Sequence, residues 1–215
     1  WQGNPGYAYV ATDSDWGGNI KDRKSTSGGI WMMGGHCIKT WSCSQGAYAL
    51  SSAEAELYAM IEGVTRAKGL KNLAYELGFR DMSNVIYLGT DSSAAKSFVC
   101  RRGLGKLRHL EMRDLGLQKE VADGNLEIQK LKGIDNPADL MTKMLSIREI
   151  HSRLQGMNIE MKGKCLSAIQ DKFVGNLTAI KMSDNGNNNW EDLGILGTLG
   201  NINQSINCSW KVGKL

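Results

Sequence analysis

Proline is nearly missing from this chain of 215 residues: there are two, Pro5 and Pro137, against 26 glycines. Tight turns must therefore rest on glycine, and few elements can be broken from within by a proline ring. Long apolar runs are missing as well. No stretch of ~20 apolar residues exists, which excludes an ordinary spanning helix. The opening Trp1-Gln2-Gly3 lacks the charged start and apolar core of a signal peptide, so no membrane association and no secretion are expected. Position 1 is Trp rather than Met, which suggests a fragment cut from a longer reading frame. The five cysteines, at 37, 43, 100, 165 and 208, form no C-x-x-C pair and leave one over from any disulfide scheme. An intracellular, reducing setting follows. Cys37 and Cys43 share a strand face at even spacing, but with only His36 nearby they read as small buried hydrophobes rather than metal ligands. Neither charge sign dominates: 26 Lys+Arg against 22 Asp+Glu gives +4, which tolerates a polyanionic partner without requiring one.

What is present is a change of period along the chain. Tyr7 to Asp13, Gly28 to Met33 and Ile38 to Cys43 read as three strands in a meander, the last two joined by Gly34-Gly35. Ser51-Ser52-Ala53-Glu54 then has the capping-box form, and Leu57, Ile61, Val64, Leu70, Leu73 and Leu77 recur at helical spacing before Gly78. Asn84 to Leu88 reads as a buried strand, and a short helix opens just beyond Asp91. A helix over about His109 to Val121, a strand over Leu126 to Leu131 and a closing helix starting near Asn136-Pro137 complete the order βββαβααβα. Hairpin strands followed by alternating helices and strands imply an α/β domain, a mixed sheet with helices packed on it. That domain takes residues 1–155. Over 156–215 the pattern fades. From Asp171 onward there are eight asparagines and six glycines with no sustained period, and a poorly ordered tail is expected.

Four acids fall where an α/β sheet presents its chemistry. Asp13 ends the first strand, Glu56 lies in the first turns of the long helix, Asp91 follows the fourth strand and Asp139 sits in the first turn of the closing helix. Four converging carboxylates need a counter-charge, and hard oxygen donors suit Mg²⁺ or Mn²⁺. Two such ions about 4 Å apart can activate water and stabilise a leaving phosphodiester oxygen. Scattered N-caps are the rival reading of the same acids. Of the doublets, Asp13 is preferred to Asp15 because Tyr9, Ala11 and Asp13 share a strand face, and Asp15 remains a candidate outer group. Glu56 is preferred because Glu54 serves the capping box.

The residues around these acids carry a resemblance. Tyr9 with Asp13-Ser14-Asp15-Trp16-Gly17-Gly18, Asp22 to Gly28, Trp41-Ser42, Leu50 to Ala59, Thr90 to Ala95, Arg108 to Arg113 and Asn136 to Lys143 occur in the order and spacing of the ribonuclease H domain of copia-like retrotransposon polyproteins. The chain resembles that family over about residues 7–145. The resemblance implies the ribonuclease H fold, with a five-stranded mixed sheet. It implies cleavage of the RNA strand of RNA–DNA hybrids during reverse transcription, beside an upstream reverse transcriptase domain in a cytoplasmic, particle-associated setting. It further implies two Mg²⁺ ions, replaceable by Mn²⁺: Asp13 bridging them, Glu56 and Asp91 completing one side, Asp139 holding the second.

Between Lys96 and Lys119 lie seven Lys/Arg against two acids. Arg101, Arg102, Arg108, His109 and Arg113 are the candidate substrate contacts, to phosphates of a hybrid duplex; a solvated helix face is the alternative. Trp16, Trp31 and Trp41 are read as packing residues rather than base-stacking ones. Two positions depart from the family: Ser92 stands where Asn is usual, and Leu115 where a second His is often found. A catalytically silent module that binds nucleic acid or links polyprotein domains is the rival reading, and a strand-transfer enzyme of the integrase type is a third.

Overall fold

The computed structural model describes residues 6–80, 83–103 and 115–159, all inside one compact unit, Trp1–Met161. The expected tail lies outside the described residues except for its first four positions. Strands β1 (Ala8–Asp15), β2 (Thr26–Met33) and β3 (His36–Ser44) form an antiparallel meander. Helix α1 (Ser52–Glu76), β4 (Ile86–Thr90), α2 (Ser93–Val99), α3 (Gly116–Ala122), β5 (Leu126–Lys130) and α4 (Ile147–Gly156) follow. The sheet order is β3-β2-β1-β4-β5, with β1–β4 and β4–β5 parallel. This is the mixed five-stranded sheet with packed helices, in the ribonuclease H-like order the sequence implies. Among the described residues no helix is long and apolar enough to cross a membrane.

Strand alternation sends β1 side chains to two different layers. Val10 joins Trp31, Leu57, Met60, Val64, Leu88 and Phe98 in the larger core, beneath α1 and α2. Tyr9 belongs with Ile30, Met32, Leu154 and Met157 in the smaller one, beneath α4. Each fully buried large apolar side chain contributes roughly 1.5–3 kcal/mol relative to exposure. Helix α1 starts as its sequence predicts, Ser51 Oγ accepting from the Glu54 amide. Its buried face is made more of small residues than the leucine pattern suggests: Ala55, Ala59, Gly63 and Ala67 meet the sheet, whereas Leu73 and Leu77 at the far end are exposed. Gly63 explains the close approach, since a Cβ there would stand 2.4 Å from Thr12 Cγ2.

Three local expectations are corrected. The fourth strand begins at Ile86, two residues late, because the Ser83 side chain caps Val85 in a preceding turn. Cys37 and Cys43 lie on opposite faces, one against each core, because a bulge at the Trp31/Met32 step of the β2–β3 pairing inverts the alternation. Both are half-buried free thiols. The closing helix starts at Ile147, not near Asn136. Asn136 and Pro137 open only a 3-10 turn, Pro137–Met141, and α4 has its own capping box in which Ser146 and Glu149 bond reciprocally. Two N-cap signals ten residues apart compete, and the one followed by an uninterrupted amphipathic turn makes the helix.

Candidate active site

Because β1 and β4 are parallel neighbours in the middle of the sheet with Ala11 paired to Gly89, Asp13 near the end of β1 and Asp91 just past β4 stand side by side at the C-terminal ends of these strands. The 3-10 turn brings Asp139 to them. Asn136 fastens that turn to β1: its side-chain amide donates to Thr12 O at 3.1 Å while its oxygen accepts from the Ala138 amide. Gly28, opposite Asp13 in β2, is what permits the approach, since a Cβ there would fall 2.5 Å from Thr142 Cγ2 and 2.7 Å from Met141 Cβ. One carboxylate oxygen from each of Asp13, Asp91 and Asp139 then lies within 4.8 Å of the others, Asp13 and Asp139 buried and Asp91 half-buried.

Two cations and a hydroxyl face this cluster. Lys143 Nζ stands 3.0 Å from Asp13 Oδ1 and 2.8 Å from Asp139 Oδ1, one ammonium shared by two carboxylates. Arg153, buried on α4, donates from Nη2 to Asp139 Oδ2 at 2.7 Å and from Nε to Asn136 O at 3.1 Å. The Thr142 hydroxyl donates to Asp13 Oδ2. Burial nevertheless pushes the Asp13 carboxyl above its usual range, outweighing the opposing Thr142 and Lys143 bonds, with Asp139 adding to the rise. Burial alone would lower the Lys143 ammonium, but its bonds to Asp139 and Asp13 hold it well above its ordinary value.

Glu56 arrives from the second turn of α1 and stands beside the cluster, turned toward β1. Its Oε1 accepts from the Ser14 amide at 3.1 Å and the Ser14 hydroxyl at 2.8 Å, while its Oε2 is buried without a hydrogen-bond partner. Burial, followed by repulsion from Asp13, raises its pKa to about 7 against the donated bonds of Ser14, with Asp91 adding a further push. A buried carboxylate oxygen without a donor, next to three converging carboxylates, fits a divalent cation held by hard oxygens. Asp13, Asp91 and Asp139 are the residues placed to hold one, with Glu56 in reserve.

The remaining expected residues divide. Glu54 caps α1, though its Oε2 reaches the Leu50 amide, one residue before the N-cap. Asp15 ends β1 half-buried beside Gly18 and is not in the carboxylate group. Arg101 and Arg102 are exposed just past α2, the former over the Phe98 ring. Arg108, His109 and Arg113 lie outside the described residues. Trp31 and Trp41 are buried as expected; Trp16 is not packed but 55% exposed, its ring N–H donating to Ala49 O. Ser92, the departure after Asp91, serves as N-cap of α2. Ser14, Thr142 and Lys143 lie in the blocks that carry the family resemblance but were given no role from sequence, and Arg153 lies outside those blocks. Lys143 had a readable signal, four residues beyond Asp139 and thus one helical turn away; Arg153 had none that separates it from surface arginines. A cavity of about 680 Å³ between the sheet and α4, lined by Tyr9, Tyr87, Met32 and Met157, is lined by none of the four acids.

No protein-family model matches the chain. The retrovirus-related Pol polyprotein from transposon TNT 1-94 of Nicotiana tabacum is 30% identical over 151 residues, which is 68% of this chain and 11% of that protein. The transposon Ty1-ER2 Gag-Pol polyprotein of Saccharomyces cerevisiae is 28% identical over 141 residues, 65% of this chain and 8% of its own length. The chain thus spans about a tenth of the length of the curated relatives it matches. Among solved structures, RNase H1 from the archaeon Halobacterium salinarum aligns with TM-score 0.43 and 14% identity over 63% of this chain and 94% of that one. The chain is a homologue of the copia-type transposon Pol polyproteins, related to them over two thirds of its length through a domain of ribonuclease H-like architecture.

Proposed function

We propose that the domain is a metal-dependent ribonuclease H that cuts the RNA strand of RNA–DNA hybrids during reverse transcription of a copia-like element. The observation that carries this reading is the meeting of Asp13, Asp91 and Asp139 at the C-terminal ends of β1 and β4 with the unpartnered Oε2 of Glu56 beside them. Mg²⁺, with Mn²⁺ as substitute, would be held by these four carboxylates, and it would supply an activated water and charge stabilisation for the leaving oxygen. The protein's own part is to pre-organise. Asn136 fixes the turn that carries Asp139, Arg153 orients the Asp139 carboxylate from below, and Ser14 holds one oxygen of Glu56 so that the other stays directed away. Arg101 and Arg102 would contact phosphates, with Arg108, His109 and Arg113 assigned the same role from sequence alone. The reading assigns the activity to residues 1–155, with 156–215 an appendage, in an intracellular setting beside an upstream reverse transcriptase domain.

The test uses the whole 215-residue chain on a hybrid labelled in its RNA strand, with Mg²⁺, Mn²⁺ or EDTA, beside Asp13→Asn and Asp91→Asn. Metal-dependent release of RNA fragments from hybrid but not from duplex DNA, lost in both variants, is the expected result. A folded protein that binds hybrid and never cuts it in either metal would overturn the enzyme and leave the silent binding module.

A further inference from the structure

The carboxylate cluster already contains a cation, and it belongs to the chain. Lys143 Nζ sits between Asp13 Oδ1 and Asp139 Oδ1 at 3.0 and 2.8 Å, bonded to two of the three carboxylates that converge. The two oxygens of Asp139 are both engaged, Oδ1 by Lys143 and Oδ2 by Arg153. On the other side the situation is reversed. Asp91 receives no side-chain cation among the described residues, since Lys130 donates to its main-chain oxygen rather than to its carboxylate, and Glu56 Oε2 is buried with no donor at all. Among the described residues the site is therefore asymmetric: one half is neutralised from within and the other half is not.

The two basic residues are not equivalent. Arg153 is buried with Asp139, its side chain 6% exposed, and is fixed further by Asn136 O, so it cannot leave without unpacking α4. Lys143 is 42% exposed on a flexible four-carbon stem, so its ammonium can withdraw to solvent without unpacking α4, provided an entering cation takes over the two buried carboxylates it leaves.

Resting on the metal-site reading above, we propose that Lys143 is a resident counter-cation that stands in for a second divalent ion. The free protein accordingly binds one divalent cation, on the Asp91 and Glu56 side, Asp13 being held by Lys143 and Thr142. A second can reach Asp139 only when the Lys143 ammonium gives way. The same withdrawal leaves a mobile ammonium at the edge of the site, where a phosphodiester is its natural partner. Lys143 is thus a positioning residue that makes occupancy of the second site conditional.

The experiment is a Mn²⁺ titration of the full chain followed by electron paramagnetic resonance, in which free ion is counted directly and no turnover is read. Lys143→Met keeps the apolar stem without the charge, and Lys143→Arg keeps a charge. The expected result is one Mn²⁺ per wild-type and Lys143→Arg chain, and two per Lys143→Met chain. The second ion should bind at least about tenfold more tightly in Lys143→Met than in wild type, the effect of removing one cation from a site at contact distance. In EDTA, Lys143→Met should melt below wild type, and saturating Mn²⁺ should raise it by more. Circular dichroism confirms that each variant is folded; if Lys143→Met is not, Lys143→Gln replaces it in the same titration. Two ions on the wild-type chain, or one on a folded uncharged variant, overturns the role of Lys143 while leaving a metal site in place. No Mn²⁺ on any of the proteins overturns the metal-site reading itself, and this inference with it.

Discussion

Replacement of Arg153 by Met probes the part of the site that is most deeply built into the fold. The methionine retains much of the apolar stem but removes the guanidinium, which donates to Asp139 Oδ2 at 2.7 Å and to Asn136 O at 3.1 Å. Arg153 is 7% exposed and Asp139 4%, so the carboxylate left behind has no solvent to turn to. Breaking a buried ion pair from one side costs about 3–5 kcal/mol, most of it the penalty of the stranded charge. Lys143 still reaches the other oxygen of Asp139 at 2.8 Å, which places the expectation at the lower end, about 3 kcal/mol. For a domain of this size that corresponds to a Tm lower by about 6–12 °C. Adding Asp139→Asn to Arg153→Met removes the stranded charge, and the double variant should recover about half of the loss, a coupling that a double-mutant cycle reads directly. The measurement is urea and thermal denaturation of the full chain in EDTA. A fall of less than about 2 °C, or a double variant no more stable than Arg153→Met, would refute the view that this arginine neutralises Asp139 in the core.

Two further outcomes follow from the same geometry. The Glu56 carboxyl, at about 7 when folded against 4.5 ordinarily, binds its proton more tightly in the folded chain. Metal-free stability should therefore fall as pH rises between these values, by up to about 3 kcal/mol, and Glu56→Gln should flatten that slope without abolishing it, because Asp13 shifts the same way. Urea titrations in EDTA at about pH 5 and about pH 7.5 compare the two proteins, and equal slopes would sink the assignment. Gly28→Ala drives a methyl group into Thr142 and Met141; it should cost about 1–3 kcal/mol and, by displacing the Asp139 turn, reduce hybrid cleavage far more than it reduces hybrid binding. Unchanged cleavage by a destabilised variant would separate that turn from the chemistry.

Much of this architecture is local in origin, and to that extent it was legible in the chain. The alternation of Tyr7 to Asp13, the Ser51-x-x-Glu54 cap and the Gly34-Gly35 turn are determined by neighbours a few residues apart, and the elements they predict are present. The four acids could be named because the surrounding blocks tie them to the copia-type family; their places at strand ends and first turns fit that choice but also fitted scattered N-caps. Their meeting was not legible. It depends on the parallel pairing of β1 with β4 and on a turn more than 120 residues from Thr12 in sequence, fastened to β1 by Asn136, Thr142 and Lys143. Where two local signals competed, as at Asn136-Pro137 and Ser146, the amphipathic turn after Ser146 favoured the second, and the packing of the 3-10 turn against Gly28 and of α4 against the sheet completed the choice. The bulge that separates Cys37 from Cys43 is likewise a property of two paired strands, not of either one.

Electrostatics divides in the same way. Sequence determined that acids and bases are nearly balanced and which carboxylates are candidates for chemistry. The Lys143–Asp139 pair is local, four residues apart, but tertiary structure alone brought Lys143 to Asp13 and Arg153 to Asp139 and left the second oxygen of Glu56 with no hydrogen-bond donor. The reason is physical. Hydrophobic period and capping act over one or two turns of chain, whereas burial, and the charge pairing that burial makes decisive, arises only when distant segments exclude water together.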